Sequence, residues 1–307
     1  MPDKVQLQEI DAKALTCEIS RRLGREVRLT ALSEMKPSGI AFRVDCKADG
    51  GRCFVKLIPP GGCHSSFVAY SACADLPFVP KSLFPEVLSF QGLELLCLEF
   101  LEGEQVGNVE DLSEERFQSL LASYLTLSRA LSGASSCLPP RLGEMSDRLM
   151  DRLEEFTRRT IFGNLAFSGV LSLPREACRV GARGLGVIHN DFHIGNLAFQ
   201  GAELAAVYDF ENMDLGLPCE DFVNLLGSRY ANRDLSRAGR RRLRGFLRTA
   251  IRLMPWSRED WQLAILLYRL KCAVVFAESR KGRLTLVSAL RFRRRDRRLA
   301  ELWEDKE

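Results

Sequence analysis

Residues Gly186 to Glu211, GVIHNDFHIGNLAFQGAELAAVYDFE, constrain this chain more than any other stretch. Two short apolar strands each end in a carboxylate, and a polar loop lies between them. Asp191 follows the first strand (Val187, Ile188), Asn196 stands five residues on, and Asp209 closes the second strand (Leu204, Ala205, Ala206, Val207, Tyr208). Carboxylate and amide oxygens are hard ligands of the kind magnesium prefers. Delivered by strand ends, they suit a phosphoryl-transfer site, where positioning and charge neutralisation matter more than covalent chemistry.

The rest of the chain must supply a scaffold for that stretch. At 307 residues, with 46% hydrophobic and 27% charged residues, it has the composition of an ordinary globular protein with room for two lobes. The opening MPDKVQLQEIDAKAL lacks an apolar signal core, and the longest apolar run, Leu263 to Ala277, is broken by Arg269 and Lys271. The expectation is a cytoplasmic chain without a membrane span. Ten scattered cysteines form no C-x-x-C pair and no Cys/His cluster at zinc spacing, so free thiols are expected, with Cys53, Cys97 and Cys272 in the core.

In the N-terminal part, apolar residues from Val5 to Ile19 recur at helical spacing over residues 5–22. The pattern then changes to strands: VRLTALS, a turn at Lys36 to Gly39, IAFRVDCKA, the Asp49-Gly50-Gly51 turn, and RCFVKLI, an antiparallel meander. Ser38 and Gly39 lie in the first turn, where a small residue lets backbone N–H groups approach a phosphate closely. Lys56, flanked by Phe54, Val55, Leu57 and Ile58, is either an exposed alternate-face residue or a phosphate ligand. Residues 64–76 suit a short helix. Two further strands, PEVLSF and LELLCLEF, meet at a Gln91-Gly92 turn. The second runs into Glu99 to Leu101, a connector whose backbone groups suit a flat ligand such as adenine.

The C-terminal part reads as helical. Phe117, Leu120, Leu121, Tyr124, Leu127 and Leu131 share one face of a helix over residues 114–131, with Ser113 as N-cap and Glu114 and Glu115 in the first turn. Further helices are expected over 144–161, 175–183, from Glu220, over 237–253 and over 261–278, with Arg291 to Arg298 a solvated basic terminal segment. Residues 229–307 hold 22 Lys and Arg against 9 Asp and Glu, a net +13. Such a segment faces an anionic substrate or an acidic membrane surface, or is a set of solvated arginine faces; nucleic acid is not the expected partner.

The order of these features resembles the protein-kinase-like fold, and most closely the aminoglycoside phosphotransferase and choline kinase group. That group carries H-x-D-x-x-x-x-N, then a strand ending in D-F/W-E/D, then G-x-P-x-x-D. His189, Asp191, Asn196, Asp209, Phe210, Glu211, Gly216, Pro218 and Asp221 match it in order. The resemblance implies an α+β, protein-kinase-like two-lobe fold: a small antiparallel β-rich nucleotide-binding N-lobe (1–101) and a larger mostly helical C-lobe (102–307). It implies ATP and Mg2+ as cofactors. Asp191 would orient the acceptor hydroxyl and take its proton, and Asn196, Asp209 and Glu211 would serve the metal. Lys56 would contact the α- and β-phosphates, with Ser38 and Gly39 covering them and Glu99 and Leu101 flanking the adenine. His189 would buttress the loop, His193 is open between acceptor contact and structure, and Asp221 would steady the loop from a helix start. One departure stands out: the family's helical Glu that pairs with the strand lysine has no counterpart in residues 64–76, where only Asp75 is acidic.

These features point to a magnesium-dependent kinase that moves the ATP γ-phosphoryl group to a hydroxyl of a small molecule. The basic C-terminal part leans towards a sugar or anionic acceptor, including a lipopolysaccharide core sugar at a membrane surface. The missing helix Glu keeps open a catalytically weak kinase-like binding module. Trp256, Trp261 and Tyr268 suit either an acceptor pocket or the core.

Overall fold

The computed structural model describes residues 10–32, 39–48, 50–133, 142–172, 185–232, 234–280 and 284–303. The chain divides into two compact units, Met1–Glu102 and Gly103–Glu307.

In the first unit, β1 (Val27–Ala31), β2 (Ile40–Cys46), β3 (Arg52–Ile58), β4 (Leu88–Phe90) and β5 (Leu93–Glu99) build one antiparallel sheet in the order β1-β2-β3-β5-β4. The first three are the expected meander. Gln91 and Gly92 both have positive φ, 50° and 77°, which gives the β4–β5 hairpin the tight turn whose twist matches its strands. One sheet face buries Val44, Val55, Leu57 and Leu95 against Leu15 and Ile19 of α1 (Ala12–Leu23). Each such side chain contributes roughly 1.5–3 kcal/mol on burial.

The sequence periodicity suggests an earlier start for α1. Asp11 sets the observed one, because its carboxylate accepts the N–H groups of Lys13 and Ala14 at 2.9 and 3.0 Å. Helix α2 (Cys63–Ala72) is shorter than residues 64–76 and lacks a cap of its own. Glu94 of β5 supplies one, accepting from the backbone N–H of Gly61 and Cys63 at 2.7 Å each.

The second unit opens with α3 (Glu114–Ser132), capped by Ser113, and buries the six apolar residues expected of it. Helix α4 (Leu142–Arg159) ends two residues short of the expected Ile161, and α5 (Gly163–Leu171) follows without any sequence signal. The helix expected over 175–183 lies outside the described residues. Short strands β6 (Gly186–Ile188) and β9 (Asp214–Gly216) pair with each other, as do β7 (Leu197–Gln200) and β8 (Glu203–Val207). Then come α6 (Cys219–Tyr230), α7 (Arg237–Leu253), α8 (Arg258–Ser279) and α9 (Leu286–Trp303).

Helix α8 starts before Trp261 because Ser257 and Asp260 form a capping box. Helix α9 is not a solvated tail. It buries Ala289, Phe292, Asp296, Leu299 and Leu302, and part of it joins α4, α5 and α8 in one core with Phe167, Val170, Leu270 and Ala273. No helix among the described residues is long and apolar enough to cross a membrane.

Candidate active site

Asp191 lies three residues beyond the end of β6, and the intervening loop is held from behind. The fully buried Asp221, in the first turn of α6, accepts the backbone N–H of His189 at 2.8 Å and of Asn190 at 2.9 Å. The Tyr124 hydroxyl lies 2.6 Å from the same carboxylate and 2.9 Å from the Pro218 carbonyl oxygen. Burial raises the Asp221 carboxyl above its ordinary value, while the hydrogen bonds to it pull the other way.

His189 is buried, with Nε2 2.7 Å from the Tyr208 carbonyl oxygen and Nδ1 accepting the Asp191 N–H at 3.3 Å. A carbonyl can only accept, so the proton sits on Nε2. His189 therefore ties the loop to the end of β8 and has both ring nitrogens engaged. Asn190 adopts φ 60°, a left-handed conformation that asparagine tolerates better than most residues, and donates to the Asn212 carbonyl at 3.0 Å. The Asp191 carboxylate is partly exposed, with the Asn212 amide at 3.4 Å and His193 Nε2 at 3.7 Å. His193 also caps a short 3-10 turn, its Nδ1 accepting the Gly195 N–H at 3.1 Å.

Asn196 ends that turn, nearly buried, and donates its Nδ2 to the Asp191 carbonyl at 2.9 Å. Among the described residues its Oδ1 has no protein hydrogen-bond partner. The Tyr208 N–H donates to the Asn196 carbonyl at 2.9 Å, so one backbone bond sets Asp209 beside Asn196. Asp209 takes φ 68° and ψ 60° at the head of the Phe210–Asn212 turn, and that left-handed kink carries its side chain off the strand direction. Phe210 packs on His189 with ring centroids 4.7 Å apart, and Glu211 is half-buried in the same turn. Asn196 and Asp209 bring an amide and a carboxylate, hard oxygens of the kind a divalent cation takes.

Described by itself, the first unit carries Lys56 half-buried on β3, opposite Leu96 of β5 and on the sheet face opposite Val55 and Leu57. Helix α2 contains no acid. Glu94 shares the face of Lys56, two positions along β5 from its partner Leu96, but its carboxylate is engaged at the start of α2. Gly39 has φ 122°, and a Cβ there would collide with the Leu57 carbonyl oxygen. Ser38 lies outside the described residues. Glu99 gives its N–H to the Lys81 carbonyl at 2.8 Å, so it has none for an adenine; Leu101 follows, beyond the end of β5.

Beside Asp191 lies a cavity of about 640 Å³, walled by the loop, the start of α6, and helices α8 and α9. Asn190, Lys271, Tyr268 and Arg295 line it. Lys271 Nζ bridges Glu220 Oε2 at 2.6 Å and Asn190 Oδ1 at 3.2 Å. Tyr268 belongs to this wall, whereas Trp261 is buried and meets the partly buried Trp256 edge to face. Cys272, expected in the core, also lines the cavity. The sequence signal for Lys271 was its place in an otherwise apolar run. A cavity of about 680 Å³ along α7 contains no residue of the Asp191 loop.

A lysine-bearing antiparallel sheet, followed by a helical unit with an Asp-Asn-Asp loop, defines a kinase-like phosphotransferase. The model of the phosphotransferase enzyme family (APH) matches residues 37–259, and the chain belongs to that family. It is a phosphotransferase with a hydroxyl acceptor. The chain is similar to an amicoumacin kinase solved with AMP-PNP, Ca2+ and Ami, at 12% identity and TM-score 0.62, covering 95% of this chain and 94% of that one. It is similar to a spectinomycin phosphotransferase solved with ADP and spectinomycin, at 11% identity and TM-score 0.63, covering 96% and 99%. A macrolide 2′-phosphotransferase from Brachybacterium faecium gives 14% identity and TM-score 0.61, covering 96% and 99%. These likenesses carry the fold. A comparison with curated protein sequences found no match.

Proposed function

We propose that the chain transfers the γ-phosphoryl group of magnesium-bound ATP to a hydroxyl of a small molecule held in the cavity beside Asp191. The observation that carries this reading is the partly exposed Asp191 carboxylate on the wall of that cavity, on a loop whose His189 and Asn190 side chains are already bonded within the protein. Asp191 orients the acceptor hydroxyl and takes its proton as the oxygen–phosphorus bond forms and the bond to the leaving ADP breaks. Asn196 Oδ1 and Asp209 hold the cation, which when bound neutralises phosphate charge. Glu211 supports that site from the adjoining turn. Lys56 serves the α- and β-phosphates, Gly39 lets the backbone approach them, and Leu101 flanks the adenine. The loop is pre-positioned by Asp221 and His189, so little ordering is left for the moment of reaction.

Coupled ADP release over a panel of hydroxylated acceptors tests the reading. Loss of general-base help costs about 10²–10⁴-fold, so Asp191→Asn should fall by that order, and Asp209→Asn should abolish the response to magnesium. Unchanged turnover in both folded variants would sink the assignment. The acid-free α2 favours a second reading, a nucleotide-binding module of weak turnover. ATP binding by calorimetry without acceptor-dependent ADP release would select it.

A further inference from the structure

Among the described residues the walls of the Asp191 cavity carry three carboxylates, and two of them are spent within the protein. Asp221 is 1% exposed and engaged by two backbone N–H groups and Tyr124. Glu220, 5% exposed, accepts the Leu217 N–H at 3.0 Å with one oxygen and Lys271 at 2.6 Å with the other. Among the described residues only Asp191 keeps a carboxylate towards the cavity. A polycationic acceptor would find one anion there, and that one is committed to the reacting hydroxyl.

The positive side is arranged differently. Lys271 is balanced by Glu220 and holds Asn190. Arg295 of α9 is exposed, and among the described residues no carboxylate pairs with it. Its neighbour Asp296 is turned away into a bidentate pair with Arg269, at 2.7 and 2.9 Å. The Arg295 guanidinium lies beside the Tyr268 hydroxyl and the Cys272 thiol, and burial raises both of those groups, so neither supplies a counter-charge at neutral pH. Amides of Asn190, Asn212 and Asn224 complete the polar lining. A guanidinium on the cavity wall that meets a phenol and no carboxylate among the described residues keeps its charge as a fork for a carboxylate or phosphate. The arginines exposed around it on α9, among them Arg291 and Arg294, add a positive field that draws such a molecule in.

We propose that the cavity selects a small hydroxylated molecule bearing an anionic oxygen group, and that Arg295 is the residue that recognises that group. This rests on the kinase reading, because the hydroxyl must reach Asp191. The shared chemistry is a compact oxyanion on a polyol or hydroxy-acid frame, and the acceptor panel separates a carboxylate from a phosphate.

The test is ADP release, with phosphorylated product confirmed by mass spectrometry, over four sets of hydroxylated compounds: sugar acids and hydroxy acids, sugar phosphates, neutral polyols, and aminoglycosides. Wild type should be most active on one of the two anionic sets. Loss of a charge-assisted contact costs about 10- to 100-fold, so Arg295→Leu should lower kcat/KM for the preferred anionic set by that factor. The loss should fall mainly on KM, change neutral compounds less than about threefold, and be partly restored in Arg295→Lys. Asp191-dependent release confined to neutral or cationic compounds, or an Arg295→Leu protein with unchanged discrimination, overturns this inference and leaves the kinase reading standing. No release from any set, by a protein that binds ATP, overturns both.

Discussion

The Tyr124 hydroxyl on α3 meets Asp221 Oδ2 on α6 at 2.6 Å, joining residues 97 apart in sequence behind the catalytic loop. Burial holds the Asp221 carboxyl above its ordinary value of 3.8, against the pull of its hydrogen-bond donors. A raised folded-state value means that the folded protein keeps a proton the unfolded chain has lost. The associated stability is complete below about pH 3.8 and is lost as pH rises through the raised value. Denaturant unfolding from pH 3.5 upward should therefore show the wild type losing stability relative to Asp221→Asn. Tyr124→Phe removes one donor, should cost about 1–3 kcal/mol, and should steepen that slope. A wild-type minus Asp221→Asn difference that is flat with pH would refute the shift.

Lys271 ties the α6 start to the loop, and removing it isolates Glu220. Breaking a buried pair costs about 3–5 kcal/mol; Lys271 is a quarter exposed, so Lys271→Met should fall at the lower end. Glu220→Gln added to it should restore most of the melting temperature, because the orphaned charge is gone. Activity should not return with stability, since Asn190 Oδ1 still lacks its partner and its left-handed backbone is less constrained. A double variant that regains both would show that Lys271 acts through stability alone.

The sequence marked candidate residues for chemistry and left obscure how they are held. Strand periodicity, the Gln91-Gly92 turn, Ser113 and the Asp191-Asn196-Asp209 spacing are local signals, and local geometry followed them. Helix α5 was hard to see because it is nine residues long, shows only Asn164 and Ser168 on its exposed face, and has no side-chain cap. The anchoring of α2 is a matter of register: the pairing of Ile58 with Glu94 sets that carboxylate at the helix start, which no reading along the chain alone displays. The cavity was legible only in fragments, since Asn190, Tyr268, Lys271 and Arg295 come from three elements up to 105 residues apart. Long-range pairs leave no periodic trace.

Arg269 and Asp296 show the same limit and supply a last measurement. Asp296 is the single acid within RFRRRDRR, a run whose composition suggests solvent on all sides. It is 5% exposed instead, bound through two oxygens to Arg269 of α8, which also donates to the Gly169 carbonyl at 3.2 Å. The pair locks α9 onto α8 and α5, and so fixes the helix that carries Arg295. Asp296→Ala would leave the guanidinium buried without its partner, a loss of about 3–5 kcal/mol, which corresponds to roughly 6–20 °C in melting temperature for a unit of this size. Arg269→Met with Asp296→Leu should recover most of it by replacing two charges with packing. If the single variant melts within about 2 °C of wild type, α9 is not anchored by this pair, and the position of Arg295 must be owed to the apolar contacts of Phe292 and Leu299 alone.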